Sequence, residues 1–177
     1  PPSFNNIENF WGLRHVEKTA PDFFKFASSR DFAIGLEGKG KEGGLFYTVM
    51  FGNYGGEADE SNKGKAVYGR IGYETKQLFL EANGHLASHG GKDITYLSFF
   101  AGIKGDWGRL GAGYATKIES PETGADKDNG VISALAAINL GKVGFLSANV
   151  AFALDRADIG PAFRESLRRI LADHGGL

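Results

Sequence analysis

Residues 67–86 read VYGRIGYETKQLFLEANGHL, and two strands joined by a tight turn are written in them. Val67, Gly69, Ile71 and Tyr73 alternate with Tyr68, Arg70, Gly72 and Glu74; beyond Thr75 and Lys76, Leu78, Leu80, Ala82 and Leu86 alternate with Phe79, Glu81, Asn83 and His85. Successive side chains of a strand point to opposite faces, so a period of two sorts these residues into a greasy face and a polar one. Arg70, Glu74, Glu81, Asn83 and His85 all fall on the polar face.

The same unit recurs in both directions. Upstream, Phe32, Ile34 and Leu36 oppose Ala33, Gly35, Glu37 and Lys39, and Leu45, Tyr47, Val49 and Phe51 oppose Phe46, Thr48, Met50 and Gly52. Downstream, Leu97, Phe99, Ala101 and Ile103 oppose Tyr96, Ser98, Phe100, Gly102 and Lys104; Leu110, Ala112 and Tyr114 oppose Arg109, Gly111, Gly113 and Ala115. Two further segments, 131–140 and 143–153, carry Ser133, Asn139, Ser147 and Asn149 on their polar faces. Tight links at 39–43, 75–76, 105–106 and 141–142 alternate with long polar ones at 53–64, 87–93 and 117–129. The expectation is an all-β, antiparallel up-and-down array of about eight strands across 31–153, the pattern of a transmembrane β-barrel with short turns at one end and long loops at the other. Residues 1–30 are expected to add a strand and a loop that could fold into a lumen. Residues 154–177 are expected to form an amphipathic helix, because Phe163, Leu167, Ile170 and Leu171 recur at helical spacing beside Arg164, Arg168 and Arg169.

Composition narrows the classes. With 20 basic and 21 acidic residues and a formal charge of −1, no global field recruits nucleic acid. Cysteine is absent, which excludes a disulfide framework and a thiol nucleophile. Glycine, 27 of 177 residues against a usual share of about 7%, lies mostly in the strand pattern and calls for close backbone approach or strong sheet curvature. No apolar run is long enough for a transmembrane helix, which leaves strands as the only means of crossing a bilayer. Aromatics near segment ends, Phe46, Tyr47, Phe51, Tyr54, Tyr68, Tyr73, Tyr96, Trp107 and Tyr114, are expected to form interfacial girdles.

The stretch from Phe4 to Lys39 contains NIENFWGLRHVEK at 6–18 and FASSRDFAIGL at 26–36, and the pattern continues through MFGN at 50–53, NKGK at 62–65 and GAGY at 111–114. These motifs resemble Gram-negative outer-membrane porins related to the phosphate-selective porins, with SSRDF at 28–32 the most specific of them. The resemblance implies a barrel of about sixteen strands, usually trimeric, in contact with outer-membrane lipid and lipopolysaccharide and passing small hydrophilic solutes. The chain departs from that pattern in being about half as long and in lacking a terminal strand that ends on an aromatic residue. It is expected to be part of a larger wall, with the tight turns toward the periplasm.

No catalytic constellation emerges: Ser28 and Ser29 lack a Gly-x-Ser-x-Gly setting, and no phosphate loop is present. His85 and His89 are four apart but on a strand end and a loop, a poor metal site, so neither a metal nor a cofactor is expected. The candidate pore-lining residues are Arg70 and Arg109, then Lys39 and Lys104, interspersed with Glu37, Glu74 and Glu81, with Arg14 and Arg30 as weaker members. Rings of Arg or Lys favour anions and acidic rings cations, so this mixture points to weakly anionic or mixed selectivity. Each basic residue could instead be paired across the wall with one of those acids. Two other functions fit the pattern: a small closed barrel that does not conduct and has a structural or adhesive role, and a soluble β-barrel that binds a hydrophobic ligand. On the polar face, Gly72→Ser and Ser98→Thr are expected to be mild.

Overall fold

The computed structural model describes residues 2–28, 30–41, 43–55, 64–141 and 145–155. Eight strands follow one another: β1 (Ala33–Lys39), β2 (Gly44–Gly52), β3 (Lys65–Glu74), β4 (Leu78–Ser88), β5 (Lys92–Gly105), β6 (Gly108–Pro121), β7 (Lys127–Asn139) and β8 (Phe145–Asp155). They form one antiparallel sheet in the order β1 to β8, each strand paired with its neighbour in the chain. The up-and-down array read from periodicity is thus the array that forms. Among the described residues no ladder joins β1 to β8. The amphipathic helix expected in 154–177 lies outside the described residues from 156 onward; Leu154 and Asp155 belong to β8.

The expected alternation of link lengths is corrected. Residues 53–64 do form a long connection, but β4 and β5 close through a tight hairpin, with His89 and Lys92 exchanging backbone hydrogen bonds of 2.9 and 3.2 Å. Gly90 and Gly91 sit at φ 61° and 71°, the left-handed pair that a two-residue hairpin loop requires and that glycine adopts without strain. Similarly, β6 and β7 run on to Pro121 and Lys127, pairing Glu119 with Lys127, so most of the polar stretch 117–129 is strand. Charged strand ends resemble loop by composition alone. At the other end, the Thr75 hydroxyl accepts from the N–H groups of Gln77 and Leu78 (3.2 and 2.9 Å) and pins the β3–β4 turn.

The N-terminal segment departs from expectation. In place of a strand, Asn5–Trp11 forms a helix, α1, and Ala20–Phe23 a single turn, α2. Ile7, Phe10 and Trp11 lie at helical spacing and are buried, which is the amphipathic stripe that outweighs the β-leaning aromatic content. Gly12 ends α1 in the left-handed conformation (φ 67°), its N–H bonded to the Glu8 carbonyl. Arg14 then binds Glu8 at 2.6 Å and Asp22 at 3.1 Å, tying α1 to α2.

This segment packs on one face of the sheet. Phe4, Ile7, Phe10, Trp11 and Leu13 form a single cluster with Phe46 of β2, Phe79 of β4, Phe100 of β5 and Leu135 and Ala137 of β7. A helix of seven residues is only about 10 Å long, whereas β2 to β7 laid flat would span roughly 24 Å at normal strand spacing. The sheet must therefore curl around the helix. Glycines make room for the aromatic layer: a Cβ at Gly102 would strike the Phe10 ring, one at Gly111 the Phe100 ring, and one at Gly72 would strike Phe46 and the Leu80 carbonyl. Gly72→Ser is consequently not mild, because Phe46 and the Leu80 carbonyl already occupy that space. Ser98 is almost fully buried on the same face.

The seat of Phe10 can be tested with the chain's two tryptophans, Trp11 (1% exposed) and Trp107 (48% exposed). In a Trp107→Phe background, Gly102→Leu should shift the Trp11 emission to the red as the segment lifts, and overpacking should cost about 1–3 kcal/mol in denaturant unfolding. Unchanged emission would show that Phe10 does not depend on the glycine floor.

Candidate functional site

Alternation divides the curled sheet into two surfaces of opposite chemistry. Outward stand Leu45, Tyr47, Val49 and Phe51 of β2, Val67, Ile71 and Tyr73 of β3, Leu80 and Leu86 of β4, Leu97, Phe99 and Ile103 of β5, Leu110 of β6, Ile132 and Ile138 of β7 and Leu146, Val150 and Phe152 of β8, all exposed. Inward stand Thr48, Glu81, Asn83, His85 and Ser98, all buried. The greasy and polar faces expected from the sequence are therefore the outer and inner faces.

The aromatics near strand ends divide accordingly. Tyr47, Tyr73 and Trp107 are exposed on the outer side at the end carrying the β3–β4 and β5–β6 turns, and Phe51 is exposed toward the other end. Phe46, Tyr68 and Tyr96 instead point inward and are buried, because their positions share the phase of Glu81 and His85. The expected girdle is corrected to its outward members.

The seven pore-lining candidates fall into four separate groups on the inner side. Near the β3–β4 turn, Glu74 receives Lys39 Nζ and Lys104 Nζ, each at 2.9 Å, one carboxylate bridging β1, β3 and β5. Half a strand away, Arg70 donates from Nη2 to Thr48 Oγ1 at 2.7 Å and to Glu37 Oε2 at 3.4 Å, with its guanidinium over the Phe46 ring at 5.8 Å. Arg109 stands apart from both and donates from Nη1 to the Phe10 carbonyl at 2.9 Å. A cation there meets one of the terminal carbonyls of α1, where the helix dipole is negative. Glu81, the last of the seven, accepts from Asn83 Nδ2 at 2.8 Å. Of the weaker members, Arg14 is held within the N-terminal segment by Glu8 and Asp22. The pairing across the wall that the sequence left open is thus the arrangement found for Arg70, Lys39 and Lys104.

A further cluster was not legible in the sequence. Asp31, from the SSRDF motif, accepts from the N–H groups of Tyr54 (2.9 Å) and Gly55 (3.2 Å) and from the Tyr68 hydroxyl (2.8 Å). Tyr54, at φ 56°, brings its hydroxyl to 3.3 Å from His85 Nε2, and the His85 ring stacks on Tyr96 with centroids 5.0 Å apart. Burial, reinforced by the Glu119 and Asp31 carboxylates, pushes the Tyr54 hydroxyl up to about 12, so it stays a neutral donor. His85 and His89, considered above as a metal pair, both abut the Tyr54 ring. Only the alternation at Tyr68, His85 and Tyr96 signalled this cluster, since Asp31 and Tyr54 join it through loops.

Comparisons with protein-family models, with curated proteins and with solved structures each return no match for this chain.

The ionic groups differ in what their loss should cost. Glu74→Gln removes partly exposed ion pairs and should change unfolding free energy by less than about 1 kcal/mol. Arg109→Ala leaves the Phe10 carbonyl without its charged donor and should cost about 1.5–3 kcal/mol. Denaturant titrations of the two variants should rank them in that order; the reverse order would show that Arg109 does not anchor α1.

Proposed function

We propose that the chain forms the wall of an outer-membrane β-barrel of the porin kind, through which small hydrophilic solutes diffuse. The observation that carries this reading is the outer face. Large apolar side chains stand exposed on alternate positions of all eight strands, including Leu36, Val49, Ile71, Leu80, Phe99, Leu110, Ile132 and Val150. Soluble monomers rarely present so extensive an apolar surface, whereas a lipid-facing barrel wall has this composition with polar residues turned inward. Exposed Tyr47, Tyr73 and Trp107 at one end match the place where aromatic girdles lie. The resemblance of residues 4–39 to phosphate-selective porins supports the same reading. A soluble barrel holding a hydrophobic ligand would turn its apolar side inward, opposite to the burial found.

Solute preference follows from the state of the cations. Arg70 is occupied by Glu37 and Thr48, Lys39 and Lys104 by Glu74, and Arg109 by the Phe10 carbonyl. Charge on the inner wall is therefore largely self-compensated, which favours mixed over strongly anionic selectivity. Among the described residues the outer edges of β1 and β8 carry no ladder, which favours a wall completed by further strands, and trimers are the porin habit. A second reading has its own observation: α1 and α2 occupy the concave face, as expected of a closed barrel with a structural or adhesive role.

Fractionation, detergent dependence and planar-bilayer conductance separate these readings. The porin reading predicts recovery with outer membranes, solubility only in detergent, and discrete conductance steps; outer-membrane recovery without conductance would select the closed barrel, and aqueous solubility would remove both. The lipid-facing assignment has an independent check. Leu80→Arg or Leu110→Arg, 40% and 49% exposed on the outer face, should lower folding free energy in bilayers by about 2–4 kcal/mol. Tolerance of both charges would place that face in water.

A further inference from the structure

The polar inner wall is covered where the N-terminal segment crosses it. Phe4, Ile7, Phe10, Trp11 and Leu13 pack on Phe46, Phe79 and Phe100, while Ala20 and Phe26 pack on Tyr96, Ala115 and Val131. In the β4–β5 register Asn83 and Ser98 lie between these two seats, and they are 3% and 2% exposed. Arg109 holds the segment by the Phe10 carbonyl, and Asn149 Nδ2 of β8 holds it by the Lys18 carbonyl at 3.0 Å. In a wall completed by further strands, a solute would meet the other side of this segment and not the residues beneath it.

That other side carries Arg14, His15, Glu17, Lys18 and Lys25, all exposed. Arg14 is paired with Glu8 and Asp22, and Lys18 with Asp22 at 3.4 Å. Among the described residues Glu17 and Lys25 have no ion pair. Backbone geometry sets Lys25 apart. It follows α2 in a Schellman turn, in which the Phe26 N–H bonds the Pro21 carbonyl at 2.9 Å and the Lys25 N–H the Asp22 carbonyl at 3.2 Å. Lys25 holds the left-handed position, φ 56°, where glycine is the usual residue because it has no Cβ to crowd the backbone. Phe26 is buried against the wall while Lys25 stands exposed, so a strained backbone position presents a free charge. On the porin reading, we propose that the exposed face of residues 14–25 lines the solute path and that Glu17 and Lys25 set the balance between cations and anions in the pore. A fixed charge beside the path attracts counter-ions and repels co-ions, and one of each sign gives mixed selectivity.

The test is the reversal potential of the native pore in planar bilayers under a potassium chloride gradient. Lys25→Glu is expected to lower the chloride-to-potassium permeability ratio about threefold or more, and Glu17→Lys to raise it by a similar factor. Lys25→Arg should keep the native ratio, and so should Lys76→Glu, an equal change of charge on the exposed β3–β4 turn. A second measurement needs no charge reversal. The chain has no cysteine, so Lys25→Cys should react with a membrane-impermeant methanethiosulfonate and lose current, whereas Ser98→Cys beneath the segment should stay unreactive. Conducting pores in which Lys25→Glu or Glu17→Lys leaves the ratio native, or in which Ser98→Cys reacts as fast as Lys25→Cys, overturn the proposal and leave the porin reading in place. Absence of conductance from the native protein removes the porin reading and the proposal with it.

Discussion

The ring of Phe10, seated over Gly102 and Gly111, stacked on Phe79 and edge-on to Phe100, is the contact from which the rest of the architecture follows. Centroids 5.4 and 5.3 Å from its neighbours place it in the favourable range for aromatic pairs. Because one short helix shares a single apolar cluster with β2, β4, β5 and β7, the face of the sheet that holds it is drawn together, and the inner and outer faces acquire different surroundings. Arg109 secures the same helix by its Phe10 carbonyl, so apolar packing and a charged hydrogen bond act on one residue.

Curvature also explains the polar groups. Side chains on the concave face converge, and groups far apart in sequence come within bonding distance: Lys39, Glu74 and Lys104 at one end, Asp31, Tyr54 and Tyr68 at the other. Between them lies the stretch where Arg70 finds Glu37 while Glu81 keeps an open oxygen.

Much of the strand architecture was legible because alternation is local: a residue's face follows from its neighbours two positions away. Phe46, Thr48, Arg70, Glu81 and His85 were placed on the correct side by that rule alone. The N-terminal segment was misread because its aromatic content suits a strand, while its helical stripe at Ile7, Phe10 and Trp11 matters only once an inner surface exists to receive it. Link lengths were misread where charged residues such as Lys117 and Glu119 continue a strand, and where Gly90 and Gly91 make a two-residue turn. Of the candidate site, the sequence supplied the seven residues and the possibility of pairing across the wall, but not which acid each cation meets or that Arg109 meets the Phe10 carbonyl.

By itself, then, the sequence determined the number and order of strands, their antiparallel succession and which side chains share a face, since each depends on period two and on turn chemistry within a few residues. Only the tertiary structure decided that α1 occupies the inner face, that Arg70 bonds Glu37 and Thr48, and that Asp31, Tyr54 and Tyr68 meet. Those outcomes depend on the direction in which the sheet curls and on contacts between residues far apart in the chain, such as Arg109 with Phe10, 99 positions away, and Asn149 with Lys18, 131 positions away. Local pattern carries no information about either.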